Sequence, residues 1–210
     1  MKPKLLTLLL IFPVFMFACN QKAAVKNTTA NSTPEVKKGV VPVADKEIAV
    51  IEMENPAYGT IKIEFYSNIA PQAVARFKEL AREGTFDGTG FHRINDSVIQ
   101  GGDPFSKDSD PTNDGTGGTN KPNVPAELSD IQYDTGIVGA ARSQDFNSAN
   151  SQFFITLRRQ PAFDNRYTIF GKVIEGMSNA QIIGGAPVVP QTERPQEPIK
   201  IKTVKIEMKL

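Results

Sequence analysis

Two segments, one near each end of the predicted domain, restrict the fold most because apolar and polar residues alternate in them. Residues 60–65 read TIKIEF, and residues 199–210 read IKIKTVKIEMKL. Such alternation gives a strand one apolar and one polar face, so both segments predict half-buried β-strands. Residues 47–53, EIAVIEM, predict a further strand, joined to 60–65 by a turn that contains Asn55 and Pro56. The matched patterns favour a sheet that closes by pairing its first strand with its last.

One segment has helical rather than strand periodicity. Residues 70–84, APQAVARFKELAREG, can hold Pro71 in the first turn of a helix and end that helix at Gly84. The apolar residues that then share one helix face are Val74, Phe77, Leu80 and Ala81. The strands lack the regularly interleaved helices of a doubly wound fold, so the sequence predicts a mainly β protein.

A second hairpin is predicted in residues 91–103, FHRINDSVIQGGD, where the turn formers Asn-Asp-Ser separate two apolar arms. A two-residue turn at Asp96 and Ser97 places Arg93 opposite Gln100. A three-residue turn shifts this pairing by one residue, and the sequence leaves both registers open. In the first register, one face of the hairpin carries Phe91, Arg93, Val98 and Gln100.

Arg93 is unusual in such an arm, because arginine rarely lies among apolar residues unless its hydrogen-bond donors are needed there. A structural explanation is an ion pair with Asp96, three residues away. A functional explanation is that its guanidinium serves a binding or catalytic site. His92 falls on the opposite face by alternation, which favours a packed, hydrogen-bonded structural histidine at that position.

The N-terminus has the pattern of an export signal. Lys2 and Lys4 precede an apolar run over residues 5–18, which is too short to span a bilayer comfortably and stops at Cys19. The junction at the cysteine resembles the lipobox of bacterial lipoproteins. We therefore predict a lipoprotein signal peptide over residues 1–18 and lipidation of Cys19. A plain signal peptide or an uncleaved anchor stays an alternative.

The composition of the residues that follow the predicted signal peptide indicates a flexible tether. Residues 19–45 begin with the lipidated cysteine and are rich in Asn, Thr, Lys and Ala without helical or strand period, which predicts a flexible linker. The folded domain is predicted to occupy residues 46–210. In this organisation the lipid anchors the protein to a membrane of the cell envelope, with the domain facing the periplasm.

Composition narrows the chemistry of any site. The formal net charge of +1 gives no basic surface for nucleic acid. The single histidine, His92, cannot supply a multi-histidine metal site, and the single cysteine cannot form an internal disulfide. We therefore expect no metal and no other cofactor, and a site built from arginine, amides, hydroxyls and apolar surface.

Six segments of the chain match the pattern of one family, and in order they are GTIKIEFY, APQAVARFKELAREGTFDGTGFHRI, IQGGD, NDGTGG, NSANSQFFI and FDNRYTIFGKVIEGM. Together they resemble the cyclophilins, a family of peptidyl-prolyl cis-trans isomerases. They cover nearly everything from about residue 47 to the C-terminus. The resemblance implies a closed eight-stranded antiparallel β-barrel capped by two α-helices, with a peptide groove on its outer surface. We expect a monomer whose partners are proline-containing polypeptides.

The resemblance also assigns site residues. It makes Arg93 the catalytic arginine, Gln100 the amide that holds the substrate backbone, and Gln152 a groove amide. The residues then expected to line the substrate groove are Phe91, Val98, Gln100, Ala141, Gln152, Phe154, Phe163 and Tyr167. By alternation, the neighbours Phe153 and Phe154 face opposite ways, so at most one of them belongs to the core.

The chain departs from the family pattern at two places that affect this groove. The turn after Arg93 is one residue shorter than usual and lacks a large aromatic residue near Val98. Phe163-Asp164-Asn165 replaces the frequent Leu-Asp-Gly, and Asn165 can take the left-handed conformation that glycine would.

The implied reaction suits a site with few ionisable groups. Rotation about an X-Pro bond is opposed by amide resonance, with a barrier of about 18–20 kcal/mol. An arginine can stabilise the twisted amide, whose nitrogen has become basic, without transferring a proton. The predicted function is therefore peptidyl-prolyl cis-trans isomerisation in exported or envelope proteins. A module that binds proline peptides or acts as a chaperone with little turnover is the alternative.

Overall fold

The computed structural model describes residues 33–209 and is mainly β with two α-helices, as predicted. The helices are α1 (Pro71–Arg82) and α2 (Met177–Gly184). The strands are β1 (Val36–Lys37), β2 (Glu47–Met53), β3 (Thr60–Phe65), β4 (Arg93–Ile94), β5 (Val98–Gly101), β6 (Leu128–Ser129), β7 (Ile137–Ala140), β8 (Phe153–Thr156), β9 (Ile169–Glu175) and β10 (Ile201–Met208). Short 3-10 helices span Pro56–Tyr58, Pro104–Lys107 and Pro161–Phe163.

Eight strands form one antiparallel sheet in the order β10-β2-β3-β9-β7-β8-β5-β4. The predicted pairing of the first and last long strands is confirmed, because Ile206 of β10 lies opposite Ala49 of β2. The hairpin of β2 and β3 is confirmed as well, with Ile51 opposite Ile61. The sheet therefore places both ends of the domain side by side.

The prediction of a closed barrel is wrong, because the sheet is an open, curled half-barrel whose edges are β10 and β4. Between these edges lie an isolated bridge of Gly90 with Lys200 and single hydrogen bonds such as Phe91 N to Ile199 O at 3.0 Å. The segment that precedes β10 contains Pro195 and Pro198, which have no backbone N–H to donate. The two-residue strand β4 is also too short for a continuous ladder.

Helix α1 packs one face into the half-barrel, as its periodicity predicts. Its first residue is Pro71, and Gly84 just beyond its end has a left-handed φ of 68°. The buried face contains Val74, Phe77, Leu80 and Ala81. Phe77 is central to the main core, because its ring centroid lies within 5.6 Å of those of Phe65, Phe86, Phe153 and Phe170.

The N-terminus of α1 is capped by a residue far along the chain. Ala70 at the N-cap has no side chain that could accept the free N–H groups of the first turn. The buried carboxylate of Glu127 accepts from Gln72 N at 3.1 Å and from Ala73 N at 3.0 Å instead. A negative charge at this end also suits the helix dipole. The cap ties the helix to the loop that precedes β6.

Residues 33–45, predicted as part of the flexible linker, lie against the domain instead. Strand β1 pairs in parallel with β6, and Lys37 Nζ donates to Ile69 O at 2.7 Å. Asn68 fastens the next residues, because its side-chain amide donates to Val41 O at 2.9 Å. Composition did not indicate this docking, because the partners of residues 33–45 lie far along the chain, in β6 and beside Ile69.

The predicted signal peptide, Cys19 and the start of the linker lie outside the described residues. Within residues 33–209, neither helix is long and apolar enough to cross a membrane.

Candidate active site

The β4–β5 hairpin has the register of a two-residue turn, so Arg93 lies opposite Gln100. The short turn satisfies its own polar groups, because Asn95 Oδ1 accepts from Ser97 N and from Val98 N at 2.8 Å each. The shortened turn is therefore a closed, hydrogen-bonded unit, and it presents Arg93 at the edge of the sheet.

Directly paired residues on neighbouring strands share one face of a sheet, and one such row crosses four strands here. Arg93 of β4 lies opposite Gln100 of β5, Gln100 lies opposite Phe154 of β8, and Phe154 lies opposite Gly139 of β7. The pairing thus places a guanidinium, an amide and an aromatic ring next to one another. This row is the centre of the candidate site.

A chain of side-chain amides extends from the arginine. Arg93 Nη1 donates to Gln100 Oε1 at 3.3 Å, and Gln100 Nε2 donates to Gln152 Oε1 at 2.9 Å. Gln152 Nε2 in turn donates to the carbonyls of Gly115 and Gly117, at 3.0 and 2.8 Å. These bonds hold both glutamines in fixed orientations, with capacity left to bind an extended peptide.

An apolar pocket adjoins the amides. The Phe154 ring centroid lies 5.6 Å from that of Tyr133, 5.5 Å from that of Phe163 and 5.6 Å from that of Tyr167. Val98 and Ala141 belong to the same cluster, which is separate from the main core. The structure thus brings together Arg93, Val98, Gln100, Ala141, Gln152, Phe154, Phe163 and Tyr167 on neighbouring strands and loops.

Two residues that sequence analysis missed shape this pocket. A Cβ atom at Gly139 would lie 2.6 Å from the Tyr133 hydroxyl and still closer to the Phe154 ring, so only glycine fits. Tyr133 is fully buried and backs the Phe154 ring. No local pattern marks either residue, because their importance comes from the packing of strands that are distant in sequence.

The loop that carries Phe163 is fixed by Asp164. Its carboxylate accepts from Tyr133 N at 2.9 Å and from Arg159 Nη1 at 3.0 Å. Burial opposes the charge, but the hydrogen bonds from Arg159 and Tyr133 hold the pKa of the Asp164 carboxyl below its ordinary value. Asn165 adopts a left-handed φ of 58°, which confirms the prediction that it replaces a glycine.

Phe153 and Phe154 face opposite ways, as alternation predicts. Phe153 belongs to the main core and Phe154 to the pocket cluster. Phe91, which we predicted in the groove, is placed elsewhere: it is 1% exposed and its ring centroid lies 6.1 Å from that of Phe153 in the main core. The alternation that placed it beside Arg93 does not extend that far, because β4 begins only at Arg93.

The structure also decides which carboxylate pairs with Arg93. Asp96 forms its ion pair with Arg158, at 2.8 Å, and so the structural explanation by Asp96 is wrong. Arg93 Nε donates to Glu193 instead. This hydrogen bond, the largest cause, holds the pKa of Glu193 below its ordinary value. The partner lies 100 residues away in sequence, and sequence analysis missed it.

The remaining polar candidate, His92, has a structural environment. His92 is buried, as predicted, and burial lowers its pKa, but within residues 33–209 neither ring nitrogen has the predicted hydrogen-bond partner. In the part of the chain that the structure describes, no three His, Cys, Asp or Glu side chains group closely enough to hold a metal ion.

The fold and groove define a class of proteins in which an arginine and two amides flank an aromatic pocket on a curled antiparallel sheet. The family model described as "Cyclophilin type peptidyl-prolyl cis-trans isomerase/CLD" matches residues 49–206. The chain belongs to this family.

Relatives by sequence and by structure agree with the family match. The chain is 44% identical over 124 residues to a probable peptidyl-prolyl cis-trans isomerase of Brucella abortus, a match that covers 57% of this chain and 63% of that relative. It is 40% identical over 159 residues to peptidyl-prolyl cis-trans isomerase ppi1 of Schizosaccharomyces pombe, covering 73% of this chain and 96% of that one.

Among solved structures, a Cryptosporidium parvum cyclophilin-type isomerase crystallised in the presence of the dipeptide Ala-Pro is similar to this chain. The TM-score is 0.68 at 30% identity, and the similarity covers 77% of this chain and 99% of that one.

Proposed function

We propose that this chain catalyses cis-trans isomerisation of X-Pro bonds in polypeptides that bind across the row of Arg93, Gln100 and Phe154. The observation that carries the proposal is this row, because it combines a cation, a peptide-binding amide and an apolar wall within three paired strands. The pocket of Phe154, Phe163 and Tyr167 receives the proline ring. Gln100 and Gln152 bind the backbone on either side of it.

The guanidinium of Arg93 performs the chemistry in this proposal. When the amide twists, its nitrogen regains a lone pair that a donor can bind, and the donor gains most in that twisted state. Arg93 uses Nε for Glu193 and one Nη1 donor for Gln100, so three of its five donors stay available for the substrate. The apolar pocket strengthens the interaction by excluding water.

The activity is tested with the full chain and a short X-Pro peptide in a protease-coupled isomerisation assay. We expect the exchange, which takes roughly 10 to 100 s without a catalyst, to accelerate with the concentration of the chain. Peptide binding measured by calorimetry without such acceleration would favour a binding module over an enzyme.

We propose further that the protein acts on exported proteins at the cell envelope, held there by lipid on Cys19. The support is the sequence pattern of residues 1–18, in which two lysines precede an apolar run that stops at the cysteine.

Replacing Cys19 with alanine should release the chain from the membrane fraction of an expressing bacterium and abolish labelling by a fatty acid. The isomerase rate should stay unchanged, because the groove residues lie within residues 93–167. Thr28→Ala, in the same segment, is the matched control and should stay membrane-bound. Unchanged membrane association of the Cys19 variant would contradict the lipid anchor.

A further inference from the structure

Glu193 contacts the β4–β5 hairpin in three ways. Its carboxylate accepts from Arg93 Nε through one oxygen and from Asn95 Nδ2, at 2.6 Å, through the other. Its backbone carbonyl accepts from Ile94 N at 2.7 Å. The residue is thereby fixed to the same short strand that carries Arg93, and both its position and the direction of its carboxylate are defined.

The turn that presents Glu193 is itself held together. Val189 N donates to Arg194 O at 2.9 Å, and Thr192 N donates to Val189 O at 3.0 Å. Gln191 takes a left-handed φ of 64° within this turn. Arg194 Nη1 donates to Pro111 O at 3.2 Å and ties the turn to the neighbouring loop. Glu193 therefore extends from a hydrogen-bonded turn, which favours a constant position.

The ion pair adds little to stability, because both side chains are nearly half exposed, 45% for Arg93 and 44% for Glu193. The ion pair instead sets the orientation of the Arg93 guanidinium. An arginine side chain loses rotamer entropy when it is fixed in one orientation. Glu193 binds the Nε edge and Gln100 one Nη1 donor, so together they orient the plane of the guanidinium. The three remaining donors are left free for a substrate that binds across the row of Arg93, Gln100 and Phe154.

We propose that Glu193 is a positioning residue of the isomerase reaction, which holds the guanidinium of Arg93 in the orientation that binds the twisted amide. This inference rests on the role proposed above for Arg93. It assigns a function to a residue outside the groove, in a turn that follows α2. A carboxylate that only neutralised the arginine would weaken its action, so removing it would raise the rate; a positioning carboxylate has the opposite effect.

The test is Glu193→Gln in the full chain. Glutamine removes the charge and the strong hydrogen bond while keeping nearly the same size. We expect kcat to fall about tenfold. This loss is smaller than the roughly hundredfold loss of rate that a 1 Å misplacement of a catalytic group can cause. Affinity for a proline peptide should change little. Glu197→Gln, an exposed glutamate four residues on, is the matched control and should leave kcat unchanged.

A double-mutant cycle separates this inference from the arginine mechanism. If Glu193 acts through Arg93, then Glu193→Gln should have no further effect on kcat in the Arg93→Ala background. An equal loss in both backgrounds, or an unchanged or raised kcat in the single variant, would overturn the positioning role. If Arg93→Ala alone leaves kcat unchanged, the proposed mechanism itself is wrong and Glu193 loses its role with it.

Further experiments keep the test decisive if Glu193→Gln folds poorly. The thermal midpoint shows whether Glu193→Gln is folded. Glu193→Asp is a second variant, which keeps the charge but is shorter by one methylene. The Arg93 Nε–H signal in a nitrogen-15 NMR spectrum should be protected from solvent exchange in the parent chain and lose that protection in both variants. A signal that stays equally protected in both would contradict the proposal.

Discussion

Replacing Arg93 with alanine should lower kcat for an X-Pro peptide by about 10²- to 10³-fold, the scale expected for removing one transition-state donor. The reason is that, in the proposed mechanism, the guanidinium interacts more strongly with the twisted amide than with the planar one. Peptide affinity should fall much less, because contacts from Phe154, Phe163 and Val98 remain. The two quantities are measured by the protease-coupled assay and by calorimetry on the same preparation.

Two companion variants sharpen this expectation. Arg93→Lys should recover little of the rate, because an ammonium keeps the charge but loses the planar fork that binds Glu193 and Gln100 together. Asp96→Ala should leave the rate nearly unchanged, because Asp96 pairs with Arg158 and not with Arg93. Near-normal turnover of the Arg93→Ala variant would contradict the catalytic role of Arg93.

Phe153→Ala should have the largest effect on folding, a loss of about 3–5 kcal/mol in the free energy of unfolding. The side chain is 1% exposed, and its ring centroid lies 5.3 Å from that of Phe77, 5.7 Å from that of Phe86 and 6.1 Å from that of Phe91. Strands β5 and β7 pair with β8 on either side, so the cavity cannot close easily. Denaturant titration of the full chain measures the loss.

Phe163→Ala is the matched control for this variant. Phe163 is only partly buried and lies in the pocket cluster, so its loss should reduce stability much less while it weakens peptide binding. A similar loss of stability in both variants would contradict the division into a main core and a separate pocket cluster.

Local sequence patterns were sufficient to predict individual strands and helix α1. Alternation in residues 60–65 and 199–210 identified β3 and β10, and the apolar face of residues 70–84 identified α1. Both signals arise within a few residues, because the backbone geometry repeats every two residues in a strand and every 3.6 in a helix. For the β4–β5 hairpin, the sequence left two possible registers of Arg93 against Gln100, because a turn of two residues and a turn of three residues are both compatible with it.

The tertiary structure decided how the ends of the sheet meet and what surrounds the arginine. An open edge between β4 and β10, a docked segment over residues 33–45 and a carboxylate 100 residues from Arg93 all depend on the path of the chain through space. These contacts join residues far apart in sequence. No local sequence pattern distinguishes Glu193, which pairs with Arg93, from Glu197, which does not. Sequence thus predicted the side chains of the proposed proline site, whereas only folding determined which carboxylate pairs with the arginine among them.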